Sequence, residues 1–254
     1  MNYEVSPHFL QHSEAVKQLV SNFESGGSLL GEAARNTIKI FNLDGRSINV
    51  KSFRIPAFHN KIIYRFFRKS KARRSYEYAH RLLQNGIGTP QPIAYFENFS
   101  WIGLEDSYYV SEQLHADLTF RELTTDANYA DREHILRQYA RFAFLLHEKG
   151  IEFIDNTSGN TLICKTGEGK YEFYLVDLNR MNFHQTIGYS TRIENLAKLT
   201  TQDDILQIMS DEYALLYKVP AAAFHQKLRE AARRFQDNFN RRRRIKKKIR
   251  FWKK

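Results

Sequence analysis

Alternating apolar and polar positions predict several short strands in the first half of the chain. The segments with this pattern are 36–43, 47–53, 89–96 and 108–114. Asp44-Gly45 joins the first two segments and is a strong signal for a tight hairpin. Residues 70–85 carry apolar side chains at helical spacing, and Gly86 follows them as a stop signal. The N-terminal part is therefore predicted to be an antiparallel sheet with one helix.

The second half of the chain has mainly helical periodicity. The predicted helices are 131–149, 191–199, 201–217 and 221–240. Two strand-like segments, 162–164 and 171–176, interrupt them and flank a Gly-containing turn at 167–169. The whole pattern predicts an α+β fold in which a sheet-rich part precedes a mostly helical part.

Oxygen-bearing side chains around this second hairpin are the main candidates for chemistry. A hairpin folded symmetrically about Glu168 places Asn160 opposite Asp177, with Cα atoms ~5 Å apart. Such side chains suit Mg²⁺, which takes few protein ligands and shares its other positions with phosphates. Asp155 then lies where a carboxylate can accept a hydroxyl proton during phosphoryl transfer. The alternative is an ordinary turn rich in Asp and Asn ahead of a hairpin.

The sheet-rich part offers candidates for phosphate binding, each with a structural alternative. Lys51, inside the second strand, either reaches nucleotide phosphates or is an edge residue with its ammonium in solvent. Gly26 and Gly27 lie in a turn at 24–31 that either brings backbone N–H groups to phosphates or is a surface turn, and no Walker A sequence follows it. Glu77, on the predicted helix, is either exposed to solvent or the ion-pair partner of Lys51.

Taken in order, these features resemble a protein-kinase-like fold. More closely, the chain resembles the bacterial lipopolysaccharide kinase family that phosphorylates Kdo or heptose of the inner core. The resemblance extends from about residue 20 to about residue 200, and its most family-like segments are 50–54, 70–75, 86–92 and 145–151, the last leading to Asp155. It implies a bilobal fold, with an N-terminal lobe at 1–113, a helical C-terminal lobe at 114–240 and a basic tail at 241–254.

The resemblance also implies roles for single residues and implies ATP and Mg²⁺ as cofactors. Lys51 would contact the α- and β-phosphates, with Glu77 as its ion-pair partner. Asp155 would be the catalytic carboxylate. The residues implied for Mg²⁺ are Asn160 and Asp177, and those implied for adenine are the backbone from Glu112 to Leu114.

Three departures from the protein-kinase pattern stand out. Phe153-Ile154 replaces the usual His-Arg before the catalytic aspartate, which argues against regulation through a phosphorylated activation loop. Asp177-Leu178-Asn179 replaces Asp-Phe-Gly. Thr157 stands where a lysine is usual, two residues after Asp155, which points to lower activity or to an acceptor other than protein.

Composition bounds the class of protein. A chain of 254 residues can bury a substantial core. Its single cysteine, Cys164, excludes an intramolecular disulfide and is predicted to pack in a core strand. No signal peptide is visible at the N-terminus, and no run of ~18 apolar residues predicts a membrane span. The nine histidines show no metal-ligand spacing. His147 is predicted to be a buried or capping histidine and not a catalytic one.

The positive charge is concentrated in the tail. Residues 241–254 carry ten of the 39 Lys and Arg and no acidic residue, which leaves 29 basic against 28 acidic residues elsewhere. The tail is a disordered end, a nucleic-acid-binding segment or a membrane-surface segment, for which its interleaved Ile, Phe and Trp are suited. A second basic cluster at 61–74 also contains aromatic residues. It suits anionic glycolipid head groups or phosphates, or is simply a solvated face.

Three hypotheses for function follow. The first is a kinase that acts on a lipopolysaccharide core sugar or Kdo-lipid A, peripheral at the cytoplasmic face of the inner membrane of a Gram-negative bacterium. The second is an inactive kinase-like scaffold that docks on membrane through its tail. The third is a nucleic-acid-binding protein, against which the near-neutral body argues. Kinase-like folds also act on other small-molecule or protein acceptors.

Overall fold

The computed structural model describes residues 1–31, 36–53, 64 and 68–251. These residues form two compact units. The first contains residues 1–115 and 176–180, and the second contains residues 116–175 and 181–254. Arg54, residues 61–63 and 65–67 of the basic cluster, and the last three residues of the tail lie outside the described residues.

A six-stranded antiparallel sheet dominates the first unit. Its strands are β1 (Asn2–Val5), β2 (Ser28–Leu29), β3 (Asn36–Leu43), β4 (Arg46–Phe53), β5 (Pro92–Phe99) and β6 (Leu104–Glu112). They lie in the order β1-β5-β6-β4-β3-β2. The helical elements are a 3-10 helix (Pro7–His12), α1 (Ser13–Ser21) and α2 (Lys71–Gln84). Strands β3 to β6 and helix α2 confirm the elements predicted for this part.

Local sequence explains the ends of these elements. Asp44 and Gly45 both have positive φ angles, 51° and 81°, as the two central residues of a tight hairpin require. Ser70 caps α2, because its side chain accepts a hydrogen bond from Arg73 N at 3.0 Å. The hydrophobic pattern did not predict β1, which pairs with β5, or α1, whose Val16 and Val20 are buried in the core of this unit.

The second unit is mostly helical. Its helices are α3 (Phe120–Thr125), α4 (Arg132–Glu148), α5 (Tyr189–Leu196), α6 (Asp203–Tyr217) and α7 (Ala221–Phe251). Its strands are β7 (Leu118–Thr119), β8 (Ile151–Phe153), β9 (Thr161–Gly167), β10 (Lys170–Leu175) and β11 (Met181–Phe183). They form a three-stranded sheet, β10-β9-β7, and a two-stranded sheet, β11-β8. Tyr139, Tyr213 and Phe224, from α4, α6 and α7, are fully buried in one core.

Two features of this unit refine the predictions. Helix α7 runs through the predicted boundary at residue 240, so the basic tail continues a helix as far as Phe251. Cys164 lies on β9 but is half-buried instead of packed in the core, and the burial it has raises the pKa of its thiol. Across the described ranges, no helix is both long enough and apolar enough to cross a membrane.

Candidate active site

Lys51 and Asp177 form the central ion pair of the first unit. Lys51 lies on β4, flanked by Ile38 on β3 and Tyr109 on β6. Its Nζ donates a hydrogen bond to Asp177 Oδ1 at 2.6 Å. The Lys51 side chain is 13% exposed and that of Asp177 is 33% exposed, so the pair is shielded but still open to solvent.

Asp177 is held in an unusual backbone conformation. Its φ angle is +59°, a left-handed value that costs a non-glycine residue on the order of 1–3 kcal/mol and that clusters at functional sites. Asn179 Nδ2 donates to the same carboxylate oxygen at 2.8 Å, and Asn179 is itself buried. The hydrogen bonds from Lys51 and Asn179 therefore hold one carboxylate oxygen of Asp177 in place and stabilise this conformation.

The predicted pairing of Lys51 with Glu77 is not formed in this structure. Glu77 instead accepts hydrogen bonds from Lys69 Nζ at 2.8 Å and from Arg73 Nε at 2.9 Å. Burial alone raises the pKa of Glu77, but these two cations outweigh burial and lower it. The reason is local, because Arg73 precedes Glu77 by one helical turn, whereas Lys51 has Asp177 within bonding distance.

The glycine turn has a structural role that the sequence did not reveal. Lys39 Nζ donates to the carbonyl oxygens of Phe23, Glu24 and Gly26 at 2.6, 2.9 and 3.1 Å. Gly26 N donates to Asn22 O at 2.8 Å, so this N–H is already used and is not available to a phosphate. A side chain at Gly27 would meet the ring of Phe41 at 2.7 Å. Packing thus explains both glycines, and a phosphate contact from Gly27 stays a prediction.

The segment from Glu112 to Leu114 is tied to the sheet. Glu112 N donates to Gln91 O at 2.9 Å and Gln113 N donates to Ser47 O at 2.8 Å. The Gln113 side chain donates to Leu114 O at 2.9 Å. Two of the three N–H groups in this segment are therefore committed to protein carbonyls. Of the three N–H groups in this segment, that of Leu114 remains as the predicted hydrogen-bond donor to adenine.

Asp155 and Asn160 lie in one loop of the second unit. Asp155 follows β8, and its carbonyl oxygen accepts hydrogen bonds from Thr157 N at 2.7 Å and Asn160 Nδ2 at 2.8 Å. Since the amide nitrogen of Asn160 is used inside the loop, its Oδ1 atom is the part of the side chain left to face a ligand. A hard cation requires such an oxygen ligand.

The register of the second hairpin differs from the prediction by one residue. Leu175 pairs with Thr161 where the ladder ends, so continuing it would bring Val176, and not Asp177, opposite Asn160. The cause is a register shift between Lys170 and Tyr171, next to the turn, because an extra residue on one strand displaces all later pairs. The symmetric hairpin argument for Asn160 and Asp177 is therefore wrong.

A buried polar network lies behind the Asp155 loop. Asn156 accepts a hydrogen bond from Tyr139 OH at 3.0 Å and donates to Asn195 O at 3.2 Å. Asn195 Nδ2 donates to Phe153 O at 2.8 Å, and Asn195 Oδ1 lies 3.2 Å from His147 Nε2. His147 is buried, as predicted, at 1% exposure. Sequence reasoning missed Asn156 and Asn195, although a buried asparagine directly after a candidate catalytic aspartate is a usable signal.

The side chains predicted to bind a metal carry oxygen atoms of the type that suits magnesium. Within the described part of the chain, no group of three or more His, Cys, Asp or Glu side chains could hold a metal alone. Asp177, in the first unit, offers a carboxylate oxygen, and Asn160, in the second unit, offers an amide oxygen. Each is a hard oxygen ligand of the kind that Mg²⁺ accepts when phosphates and water complete its shell.

The fold and these residues define a class of protein. A lysine on a central strand of an antiparallel sheet, a carboxylate beyond a later hairpin and an Asp-x4-Asn loop are the parts of a protein-kinase-like phosphotransferase. The sequence profile of the Lipopolysaccharide kinase (Kdo/WaaP) family matches residues 27–218. The match covers most of the chain, and the chain belongs to this family.

The solved structures agree with this fold class. A structure of WaaP in complex with acyl carrier protein matches with a TM-score of 0.62 and 16% sequence identity, covering 92% of this chain and 99% of the WaaP chain. At this identity the similarity establishes the fold, and the predicted protein-kinase-like α+β fold is confirmed. Among curated proteins, none matches the chain by sequence.

Proposed function

We propose that this protein is an ATP- and Mg²⁺-dependent kinase that phosphorylates a sugar hydroxyl, of Kdo or heptose, in the lipopolysaccharide inner core. The observation that carries the proposal is the 2.6 Å ion pair between Lys51 Nζ and the carboxylate of Asp177, whose backbone φ is positive, in a chain of the lipopolysaccharide kinase family. When a nucleotide binds with its metal, Lys51 would exchange Asp177 for the phosphates, and Asp177 would exchange Lys51 for Mg²⁺.

The proposed reaction is a phosphoryl transfer. The acceptor hydroxyl oxygen forms a bond to the γ-phosphorus of ATP, and the bond from that phosphorus to the β–γ bridging oxygen breaks, so that ADP leaves. The hydroxyl proton passes to the carboxylate of Asp155. Lys51 leaves Asp177 and binds the α- and β-phosphates, while Asp177 and Asn160 Oδ1 would hold Mg²⁺. The ion neutralises phosphate charge when it is bound.

The Lys51–Asp177 pair supports a site for a nucleotide together with its metal. Each charge would be costly if it were left half-buried alone, and each neutralises the other. Nucleotide with its metal brings both charges a new partner, so the number of unpaired charges does not change on binding. The preparation applies to Mg-ATP and not to either component alone.

One observation favours a second function. Glu77 binds Lys69 and Arg73 instead of Lys51, and protein-kinase activity requires the lysine–glutamate pair. An inactive kinase-like scaffold, docked on membrane, has no need of that pair. Nucleotide binding without transfer to any acceptor is the result that distinguishes this scaffold from an enzyme.

We also propose that helix α7 binds an anionic membrane surface, at the cytoplasmic face of the inner membrane. Arg241 to Lys247 are exposed on its last turns, and the same helix exposes Phe235, Phe239 and Ile245, at 38%, 53% and 48%. Cationic side chains attract anionic lipid at about 1 kcal/mol each near the surface. Acyl carrier protein is the partner of WaaP in its solved structure, and its binding to this chain is a second interaction to test.

The decisive experiment measures transfer of labelled γ-phosphate from Mg-ATP to lipid A carrying Kdo. The wild type is compared with Asp155→Asn and with Glu168→Gln, a control in which an exposed carboxylate of the β9–β10 turn is removed. We expect transfer by the wild type and the control and its loss in Asp155→Asn. Nucleotide binding with no transfer supports the scaffold, and failure to bind nucleotide refutes the roles of Lys51, Asn160 and Asp177.

A further inference from the structure

The end of helix α5 holds the loop that carries Asp155. Asn195, in the last turn of α5, donates to Phe153 O at 2.8 Å. Lys198, two residues beyond the helix, donates from Nζ to Ile154 O at 3.0 Å. The two residues immediately before Asp155 are therefore bonded, one after the other, to side chains of the same short segment. This segment fixes where the Asp155 side chain begins.

The loop itself contains no cation. From Ile151 to Cys164 the chain has no Lys and no Arg. Phosphoryl transfer spreads negative charge over the transferring group, and enzymes stabilise that charge with fixed cations and donors. A side-chain cation beside this loop therefore comes from another segment, as the guanidinium of Arg121 against Gly159 already does.

Lys198 places a cation beside this loop, next to Asp155. The bond from its Nζ to Ile154 O puts the ammonium within about 7 Å of the Asp155 Cα, because only the peptide bond separates that oxygen from Asp155. Lys198 is half-buried, so its charge is less screened than that of an exposed lysine. The charge of this ammonium also acts on Glu152. Burial raises the pKa of Glu152, but His184, Asn182 and Lys198 together lower it.

We propose that Lys198 is a further active-site residue, whose ammonium beside Asp155 neutralises negative charge on the phosphoryl group during transfer. The inference rests on the proposed kinase function. Lys198 makes and breaks no covalent bond, and the acceptor proton still passes to Asp155. Its action is electrostatic, and this separates it from a role in which the hydrogen bond to Ile154 O only holds the loop.

Two substitutions at the same position distinguish charge from tether. Lys198→Gln removes the charge but keeps an N–H donor, whereas Lys198→Arg keeps both. Lys170→Gln, at an exposed lysine of the β9–β10 hairpin, is the matched control. For each variant, kcat and KM are measured with Mg-ATP and lipid A carrying Kdo, and the melting temperature reports whether the loop and fold are intact.

The expected result is a loss of kcat by roughly 10²-fold in Lys198→Gln, the usual effect of removing one group that stabilises transition-state charge. KM for ATP and the melting temperature should stay near the wild-type values, because an interaction made only in the transition state affects kcat alone. Lys198→Arg should retain kcat to within tenfold, and Lys170→Gln should match the wild type.

Several outcomes overturn the inference. Wild-type kcat in Lys198→Gln shows that charge at this position is not used. Equal loss in Lys198→Gln and Lys198→Arg, with a lowered melting temperature, shows that the residue acts only by holding the loop. A wild type without transfer overturns the proposed function and this inference together, whereas an active wild type with an active Lys198→Gln overturns this inference only.

Discussion

Neutral, buried His147 should make the stability of this protein depend on pH. The ring lies near the end of α4 and is 1% exposed. Asn195 Nδ2 donates to Phe153 O, so Asn195 Oδ1 is the atom that faces His147 Nε2. Because that oxygen only accepts, Nε2 carries the proton, and Nδ1 accepts a hydrogen bond from Tyr213 OH at 2.7 Å. A second proton on the ring would have to displace the Tyr213 bond.

The size of the effect follows from the pKa of the ring. Burial, with the nearby charge of Arg192, lowers the pKa of His147 from 6.5 to about 4. As pH falls below 6.5, the unfolded chain therefore binds a proton that the folded chain refuses. The contribution of neutral His147 to the free energy of unfolding is fully present well above pH 6.5 and is lost between pH 6.5 and about 4. The full effect is roughly 3 kcal/mol, of which about 2 kcal/mol is lost between pH 7 and pH 5.

Urea unfolding at pH 5, 6, 7 and 8, followed by circular dichroism, measures this effect. His147→Gln keeps one donor and one acceptor but cannot titrate. We expect it to be less stable than the wild type at pH 7 by about 1–3 kcal/mol, because its shape fits the network less well. Between pH 7 and pH 5, the free energy of unfolding of His147→Gln should fall by about 2 kcal/mol less than that of the wild type. His8→Gln, at an exposed position, is the control.

Two results would refute this reasoning. If the wild type and His147→Gln lose the same free energy of unfolding between pH 7 and pH 5, His147 does not carry the pH dependence. If the ring of folded His147 gains its proton near pH 6.5 in a nuclear magnetic resonance titration, the buried network does not exclude the charge.

Three further predictions concern other parts of the chain. Asp177→Ala should abolish phosphoryl transfer and leave the circular dichroism spectrum unchanged; robust transfer would remove Asp177 from the metal site. Gly150→Ala should destabilise the protein by more than about 2 kcal/mol in urea unfolding, because φ is +69° and the new Cβ would lie 2.0 Å from His184 O; Gly45→Ala, with φ +81° and open space, should cost less. Replacing Arg241 to Arg244 with Gln should weaken binding to vesicles containing anionic lipid by about 1 kcal/mol per residue, and unchanged binding would argue against α7 as the membrane segment.

Local signals were sufficient to predict most of the elements. The Asp44-Gly45 hairpin and the helix between Ser70 and Gly86 were predicted because turn and cap residues act within a few positions of themselves. Strand β1 was missed because four residues with mixed polarity carry too little pattern. Only pairing with β5, about ninety residues later, makes them a strand.

Residue types suggested candidates for the site, but the contacts between those residues could not be predicted. Lys51, Asp155 and Asp177 were proposed from chemistry and resemblance. The partner of Lys51 was not, since it lies 126 positions away in the chain and no local pattern distinguishes Asp177 from Glu77. The hairpin register failed for a related reason, because a bulge one residue long shifts every later pair without changing the hydrophobic alternation that was read.

The positions that local reasoning missed share one physical property. Asn156, Asn195 and Lys198 are polar residues whose hydrogen bonds run to another element of the same unit. In a sequence they read as solvent-facing, because polarity normally signals exposure. A buried polar group is tolerated only when its partner is in place. These residues therefore hold the Asp155 loop in one geometry, and they would destabilise the unit if their hydrogen bonds were not formed. This link between stability and loop geometry is why a change at Lys198 must be judged by kcat and melting temperature together.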